Sequence, residues 1–363
     1  MGRNSIIGFA LIASLLVGSP GLSAFGFSGD QSPNVVLSNG LVRPSGIAFD
    51  SSGNLWVSDS GASRVYEFTP PFTSGSSPAM TLSNGLEGPA GIAFSSGNLW
   101  VADYGAHRVL EYAQPITGSS VPAVTLSNAG DPIGVAFDPA GDLWVANFGE
   151  FQEANSSDPN IPVQTIIPGS VFQFVPPFSS EEPPKINMTN GIVSPLALAF
   201  TSGNLLVADQ GARAVLVFSA PLSNSSPPST VLSNSITDPA GIALDSSGDM
   251  WVADYGSASI VEFAAPLRAE SPVVALSKGL SDSTAIAFDQ AGNLWVADIV
   301  GGKVVEFANP NPPSAGNPLS LYLLAVPVFL AAVIAGYFVV RRKVRGNGDL
   351  GSSRPDLNCM LST

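Results

Sequence analysis

The chain has 363 residues, with 28 acidic and 14 basic side chains and a formal net charge of −14. This balance excludes a nucleic-acid-binding surface, which needs clustered Lys and Arg, because the only dense basic run is RRKVR at 341–345. The 31 Pro and 37 Gly favour many turns over long helices. The composition therefore predicts a turn-rich protein with an acidic surface.

The N-terminal segment has the pattern of an export signal. Arg3 precedes an apolar run from Ile6 to Val17, and the small residues GSPGLSA follow it. We expect a signal peptide over residues 1–24. A retained N-terminal anchor is the alternative for the same pattern.

A phrase of eight residues then occurs six times along the chain. The copies are NVVLSNGL (34–41), AMTLSNGL (79–86), AVTLSNAG (123–130), KINMTNGI (185–192), STVLSNSI (229–236) and VVALSKGL (273–280). Each copy is followed by a hairpin pattern such as GIAFDSSGNLWVSD (46–59) and by a third apolar run such as RVYEF (64–68). Each repeat unit therefore contains four predicted strands.

The strand pattern predicts an all-β, six-bladed β-propeller over residues 34–308. Runs such as LWVAD are continuously apolar, which indicates burial on both faces, as in four-stranded sheets packed around a ring. The sixth unit ends at KVVEFANP with no outer strand after it. We expect NVVLSNGL to supply that strand from the N-terminal side and so to close the ring.

The segment PAGIAFSSGNLWVADYGAHRVLEYAQP (89–115) resembles the NHL repeat, with its P-x-G-I-A, G-N-x-Y-V-A-D and R-V elements. The resemblance recurs six times and implies a six-bladed propeller of the group that includes TolB-like and streptogramin-lyase-like propellers. One propeller scaffold hosts many activities, so the resemblance does not define the function.

Two sets of recurring residues have structural interpretations. The turn glycines are expected to supply a positive φ in each hairpin, and they are Gly53, Gly97, Gly141, Gly203, Gly248 and Gly292. The strand-end aspartates are expected to accept backbone or Arg hydrogen bonds, with Arg64, Arg108 and Arg213 as candidate donors, and they are Asp59, Asp103, Asp209, Asp254 and Asp298. DSSGN (50–54) lacks the alternating oxygens of a calcium loop, so no metal site is predicted there. No cofactor and no catalytic residue is predicted either.

The third unit departs from the others, and this departure suggests a binding site. It carries about 18 additional residues, EFQEANSSDPNIPVQTII (150–167), between its second and third strands. This insertion should share one rim of the ring with the loops that precede the inner strands. The ligand-binding candidates on that rim are Arg43, Tyr104, His107, Phe148, Glu150, Glu153 and Tyr255, with Glu87, Asp131 and Asp238 nearby. Ordinary solvated loops are the alternative.

Related propellers include enzymes, and the histidine count bears on them. Amidating lyases and virginiamycin B lyase need histidines at their sites, whereas His107 is the only histidine here. A calcium-dependent lactonase of the gluconolactonase type needs only carboxylates and amides, so it stays as the alternative to a binding or sensing module without enzymatic activity.

The C-terminal segment predicts a membrane anchor. Residues 309–318 form a Pro-rich linker, and the 22 residues 319–340 carry no charge. As a helix they would span about 33 Å, enough to cross a bilayer. The basic run that follows places the tail (341–363) in the cytoplasm and the propeller outside the cell. The expected partners are therefore an extracellular protein or glycan and the membrane, and not nucleic acid. Three sequons, at Asn155, Asn187 and Asn224, could accept glycans.

Overall fold

The computed structural model describes residues 26–154, 163–201, 203–267, 272 and 274–312. The chain divides after Pro312 into two compact units, and the first contains all of the described residues. The predicted signal peptide, membrane helix and tail lie outside the described residues, as does the linker beyond residue 312. Within the described ranges, no helix combines the length and the apolar character needed to cross a membrane.

The described chain forms six antiparallel sheets of four strands each, which confirms the predicted all-β, six-bladed propeller. We number the blades by their inner strands. Blade one contains β2 (Pro44–Phe49), β3 (Leu55–Asp59), β4 (Arg64–Phe68) and β5 (Met80–Leu82). Blade two contains β6 (Pro89–Ser95), β7 (Asn98–Asp103), β8 (Arg108–Tyr112) and β9 (Val124–Leu126). Blade three contains β10 (Pro132–Phe137), β11 (Leu143–Ala154), β12 (Val163–Phe174) and β13 (Ile186–Met188).

The second half of the ring repeats this order. Blade four contains β14 (Pro195–Thr201), β15 (Asn204–Asp209), β16 (Ala214–Ser219) and β17 (Thr230–Leu232). Blade five contains β18 (Pro239–Leu244), β19 (Met250–Asp254), β20 (Ser259–Phe263) and β21 (Val274–Leu276). Blade six contains β22 (Ser283–Phe288), β23 (Leu294–Asp298) and β24 (Lys303–Phe307), and its outer strand is β1 (Val35–Leu37). Short 3-10 turns follow β7 at Tyr104–Ala106 and β19 at Tyr255–Ser257.

The ring closes through the N-terminal strand, as the sequence predicts. Val35 pairs with Glu306, and Leu37 pairs with Val304, in antiparallel register. The Gln31 side chain adds a hydrogen bond to the carbonyl oxygen of Ala308 at 2.7 Å. The first and last described strands of the propeller therefore belong to one sheet.

The hydrophobic core lies between blades. Each apolar cluster joins residues of two neighbouring sheets, and every residue of strands such as β3 is buried. The recurring Trp packs against a Phe in the inner strand of the next blade; Trp56 and Phe94 meet edge-on, with ring centroids 5.5 Å apart. Blade four has Leu206 in place of Trp, and it shares a cluster with Leu244, which stands where other blades have the Phe. The two positions therefore change together.

The turns of the inner hairpins follow the predicted chemistry. All six predicted glycines have positive φ, between 79° and 100°. In the turn after β2, Asp50 Oδ1 accepts hydrogen bonds from the backbone amides of Ser52 (2.8 Å) and Asn54 (3.0 Å). Its Oδ2 accepts one from the Trp56 indole at 3.0 Å. The Asp50 carboxylate of DSSGN therefore stabilises the turn and positions the core Trp56 by hydrogen bonds.

The insertion in blade three is a hairpin extension. The pairing of β11 with β12 continues from Leu143↔Phe174 to Ala154↔Val163. The inserted residues therefore lengthen two strands of the blade instead of forming a separate surface loop up to that point.

Candidate functional site

One face of the ring is organised by the strand-end aspartates, and we call it the Asp face. It consists of the loops that precede the inner strands, such as 41–43, and those that follow the second strands, such as 60–63. Asp59 is fully buried and accepts hydrogen bonds from the amides of Val42 (2.6 Å), Arg43 (2.9 Å) and Ala62 (3.0 Å). The same carboxylate therefore fixes both kinds of loop. Three arginines are predicted to donate to these aspartates. Among the described residues only Arg108 does so, with its Nε 3.3 Å from Asp103 Oδ2.

Blade three has Asn147 at the Asp position, and the hairpin extension begins there. The Asn147 side chain accepts from the Asp131 amide (2.6 Å) and donates to Ser170 Oγ (3.0 Å). Beside it, the Gly169 amide donates to the carbonyl oxygen of Val193 in the loop before blade four, at 2.7 Å. These bonds root the extension on the Asp face, between blades three and four.

A central cavity of approximately 540 Å³ lies inside the ring of inner strands. Its wall is formed by the second to fourth residues of those strands. The fourth residues are apolar in every blade, and they are Ile47, Ile92, Val135, Leu198, Ile242 and Ile286. The second residues vary, and they are Ser45, Ala90, Ile133, Leu196, Ala240 and Thr284.

The mouth of this cavity on the Asp face carries Arg43 and Tyr104. Arg43 is the single charged residue of the described lining, which contains no carboxylate and no imidazole. Ser45 and Ser60 lie next to it, with their hydroxyl oxygens 2.7 Å apart, and both donate to the carbonyl oxygen of Arg43. The cavity is therefore mainly apolar, with one cationic edge.

The structure brings together only part of the predicted rim. Arg43 and Tyr104 both line the cavity mouth, and Tyr104 is 41% exposed. His107 is not among the described lining residues and pairs through Nδ1 with the Asp131 carboxylate, while 66% of its side chain stays exposed. Phe148 donates its amide to the carbonyl oxygen of Asp131 at 3.0 Å.

The remaining candidates lie further out on the Asp face. Tyr255 is exposed in the 3-10 turn of blade five and is not part of the described cavity lining. Glu150 and Glu153 lie in β11, within the hairpin extension, and their side chains fall outside the described part of the structure. The predicted residues thus form a cavity mouth, a His107–Asp131 pair and an outlying group.

The sequence interpretation missed the cavity wall. Its signal was the second position of the inner strands, which changes from Ser to Ala, Ile, Leu and Thr around the ring while the rest of the P-x-G-I-A-F pattern is nearly constant. The most variable position of an otherwise similar strand indicates side chains that the scaffold itself does not require.

The opposite face carries carboxyl groups with altered acidity. Burial raises the pKa of Asp245, and the neighbouring Asp249 charge adds to the effect. Burial likewise raises the pKa of Glu67 and of Glu306, helped by the charges of Asp50 and Asp289 respectively. These groups lie at the inner hairpin turns and third strands, away from the Asp face.

One carboxylate group on that opposite face has a spacing that could hold a metal ion. Oxygen atoms of Asp245, Asp249 and Glu262 lie within 4.8 Å of one another, and all three residues are buried. However, Asp245 already accepts bonds from the Ser247 amide (2.8 Å) and the Trp251 indole (3.1 Å). Its arrangement matches the turn of blade one, so it serves the hairpin as Asp50 does.

Comparisons with known proteins agree with this architecture. The family model described as NHL repeat matches residues 41–68 and 86–112. A putative gluconolactonase structure is similar at 16% identity with a TM-score of 0.58, covering 77% of this chain and 94% of that one. A luciferin-regenerating enzyme is similar at 17% identity with a TM-score of 0.55, covering 78% and 98%.

A gluconolactonase from Xanthomonas campestris is similar at 14% identity with a TM-score of 0.55, covering 76% of this chain and 88% of that one. No curated protein matches the sequence. At these identities the structural likeness concerns the fold alone. The chain is a six-bladed β-propeller. In particular, it is a propeller that carries NHL repeats, found by the family model in the region of blades one and two.

Proposed function

We propose that this propeller is a binding or sensing module that recognises an extracellular protein or glycan through the Asp face. The observation that carries this proposal is the distribution of exposed apolar side chains. Of the seven large hydrophobic residues that are exposed in the described structure, five lie on the Asp face: Val42, Tyr104, Ile167, Tyr255 and Val300. Exposed apolar and aromatic groups gathered on one face are typical of interaction surfaces.

The hairpin extension supports the same surface. It is rooted between blades three and four, and Ile167 at its base is 41% exposed. A paired hairpin holds its side chains in a fixed register, so it can contribute to recognition with less loss of conformational entropy than an unpaired loop.

The alternative is a calcium-dependent hydrolase or lyase, and gluconolactonases are among the structural neighbours. Such chemistry in the central cavity would need carboxylate or imidazole groups in the wall or mouth. The described lining offers one guanidinium, hydroxyls and aliphatic groups. These residues favour binding over hydrolysis at this cavity.

The location completes the proposal. We place the propeller outside the cell, held by a single C-terminal membrane helix (319–340) with its tail in the cytoplasm. The uncharged run and the basic cluster after it support this topology. Protease added to intact cells should remove the propeller and spare an epitope attached to the tail. Protection of the propeller would reverse the orientation.

The binding role is tested by shortening the hairpin. A variant in which Asn-Gly replaces residues 150–167 keeps the strand pairing below it. We expect the full-length wild type to bind members of an array of extracellular proteins and glycans, and the shortened variant to lose that binding. A control with Ser51→Ala and Ser52→Ala, on the opposite face, should bind as the wild type does. Equal binding by the shortened variant would refute the role of the extension.

The hydrolase alternative has a separate test. A ligand that binds only the folded state raises the melting temperature, so melts of the full-length chain in EDTA and in added calcium distinguish the two functions. We expect equal melting temperatures and no hydrolysis of gluconolactone. A calcium-dependent rise in melting temperature together with lactone hydrolysis would refute the binding-module proposal and support an enzymatic function.

A further inference from the structure

At the second position of the inner strands, the wall of the central cavity has a polar side and an apolar side, which we call its polar half and its apolar half. The second residues of the inner strands are hydroxylated in blades six and one, Thr284 and Ser45, and bulky and aliphatic in blades three and four, Ile133 and Leu196. In a closed ring of six, blade one faces blade four and blade six faces blade three. The hydroxyls therefore stand across the cavity from the largest apolar side chains.

The single charge of the lining lies on the polar half. Arg43 precedes the inner strand of blade one and is exposed at the cavity mouth. Its amide is bound by Asp59, and its carbonyl oxygen accepts from the Ser60 amide at 3.1 Å and from the Ser45 hydroxyl at 3.0 Å. The backbone that carries the guanidinium is therefore fixed before any ligand arrives.

No carboxylate of the described chain forms an ion pair with this guanidinium. The ion pairs of the described residues involve His107, Arg108 and Lys303. A planar guanidinium forms two parallel hydrogen bonds with a carboxylate, which makes it the natural partner for that group. The Arg43 guanidinium can thus donate both of these parallel hydrogen bonds to a ligand carboxylate.

We propose that the central cavity binds an amphipathic monocarboxylate, with the carboxylate on Arg43 and the aliphatic body against Ile133 and Leu196. This inference rests on the proposed binding function of the Asp face and names a ligand class for its central cavity. One guanidinium in the lining matches one negative charge. A ligand with several negative charges would be repelled by the net charge of −14.

The test is calorimetric titration of the full-length chain with octanoate, octanol and octylamine, with titrations into the solubilising medium subtracted. The three probes share one apolar body and differ in the head group. We expect octanoate to bind most tightly. Adventitious association with so acidic a protein would instead favour octylamine, because the long-range field attracts cations.

Two variants locate the head group. Arg43→Gln should weaken octanoate about tenfold, equivalent to about 1.4 kcal/mol, and leave octanol unchanged. Arg64→Gln is the matched control, because it removes the same charge from the same face outside the cavity lining, and it should leave octanoate binding unchanged. Leu196→Ala, on the apolar half, should weaken octanoate and octanol alike by several-fold.

The outcomes separate this inference from the broader function. Octanoate that binds no more tightly than octanol, or equal losses in Arg43→Gln and Arg64→Gln, would overturn the carboxylate site even if array binding depends on the hairpin. Octanoate binding that depends on Arg43 supports the site even if the shortened-hairpin variant keeps its array partners. In that case only the role of the hairpin fails.

Discussion

Asp209→Ala should be among the most destabilising single substitutions on the Asp face. The fully buried Asp209 carboxylate accepts bonds from the amides of Val193 (2.7 Å), Ser194 (2.8 Å) and Ala212 (3.0 Å). A hydrogen bond to a charged group contributes about 1.5–3 kcal/mol, and Val193 and Ala212 are only partly buried and can reach water. At the lower value for each bond, the substitution costs about 4.5 kcal/mol.

The isosteric Asp209→Asn separates the bonds from the packing. Oδ1 accepts the Ser194 and Ala212 amides, so an amide oxygen can keep those two bonds, while its NH₂ group faces the Val193 amide. We expect a loss of about 2 kcal/mol. Urea unfolding followed by Trp fluorescence measures both values, with Glu182→Ala as an exposed control expected to change stability little. Equal losses for Ala and Asn, or a loss below about 1 kcal/mol for Ala, would refute the reasoning.

Three further experiments test other parts of the ring. A Cβ at Gly91 would stand 2.6 Å from the Ile133 carbonyl oxygen of the next blade. Gly91→Ala should therefore lower the free energy of unfolding in urea by about 1–3 kcal/mol. An unchanged free energy of unfolding would show that the inner strands can separate. Burial raises the pKa of Glu306 above 4.5, so the contribution of Glu306 to stability falls as pH rises through the folded pKa. Thermal melts should therefore show Glu306→Gln to be more stable than the wild type at neutral pH, with the difference vanishing in acid. A difference that stays constant with pH would contradict this. Asp138 accepts a hydrogen bond from the Trp144 indole at 3.0 Å. Asp138→Thr and Trp144→Leu should therefore show a coupling energy of about 1 kcal/mol in a double-mutant cycle of unfolding free energies. Simple additivity of the two losses would exclude this coupling.

Most of the fold could be predicted because each blade repeats the same local chemistry. Six turn glycines, continuous apolar second strands and a missing outer strand in the last unit define the number of blades and the closure. The linked change of Leu206 and Leu244 could not be predicted, because it depends on which inner strand faces which Trp across a blade boundary. Such contacts join residues that are distant in the chain and unrelated in the repeat pattern.

The site was only partly predictable. Loop position alone placed Arg43 and Tyr104 on one face of the ring, and both line the cavity mouth. The sequence could not show that His107 is engaged with Asp131, since that pair bridges the loops of two blades. The division of the wall into two halves also needs the ring, because only closure places Ser45 opposite Leu196.

The position of β24 has a mechanical consequence. In the other five blades the third strand continues through the chain into an outer fourth strand, but in blade six the last strand lies between β23 and β1 and is hydrogen-bonded on both sides. Tension applied to the chain beyond Phe307 therefore acts on an interior strand, which must shear two ladders together and cannot be peeled from an edge. The propeller should resist force at this end more strongly than force applied to the outer strand of any other blade.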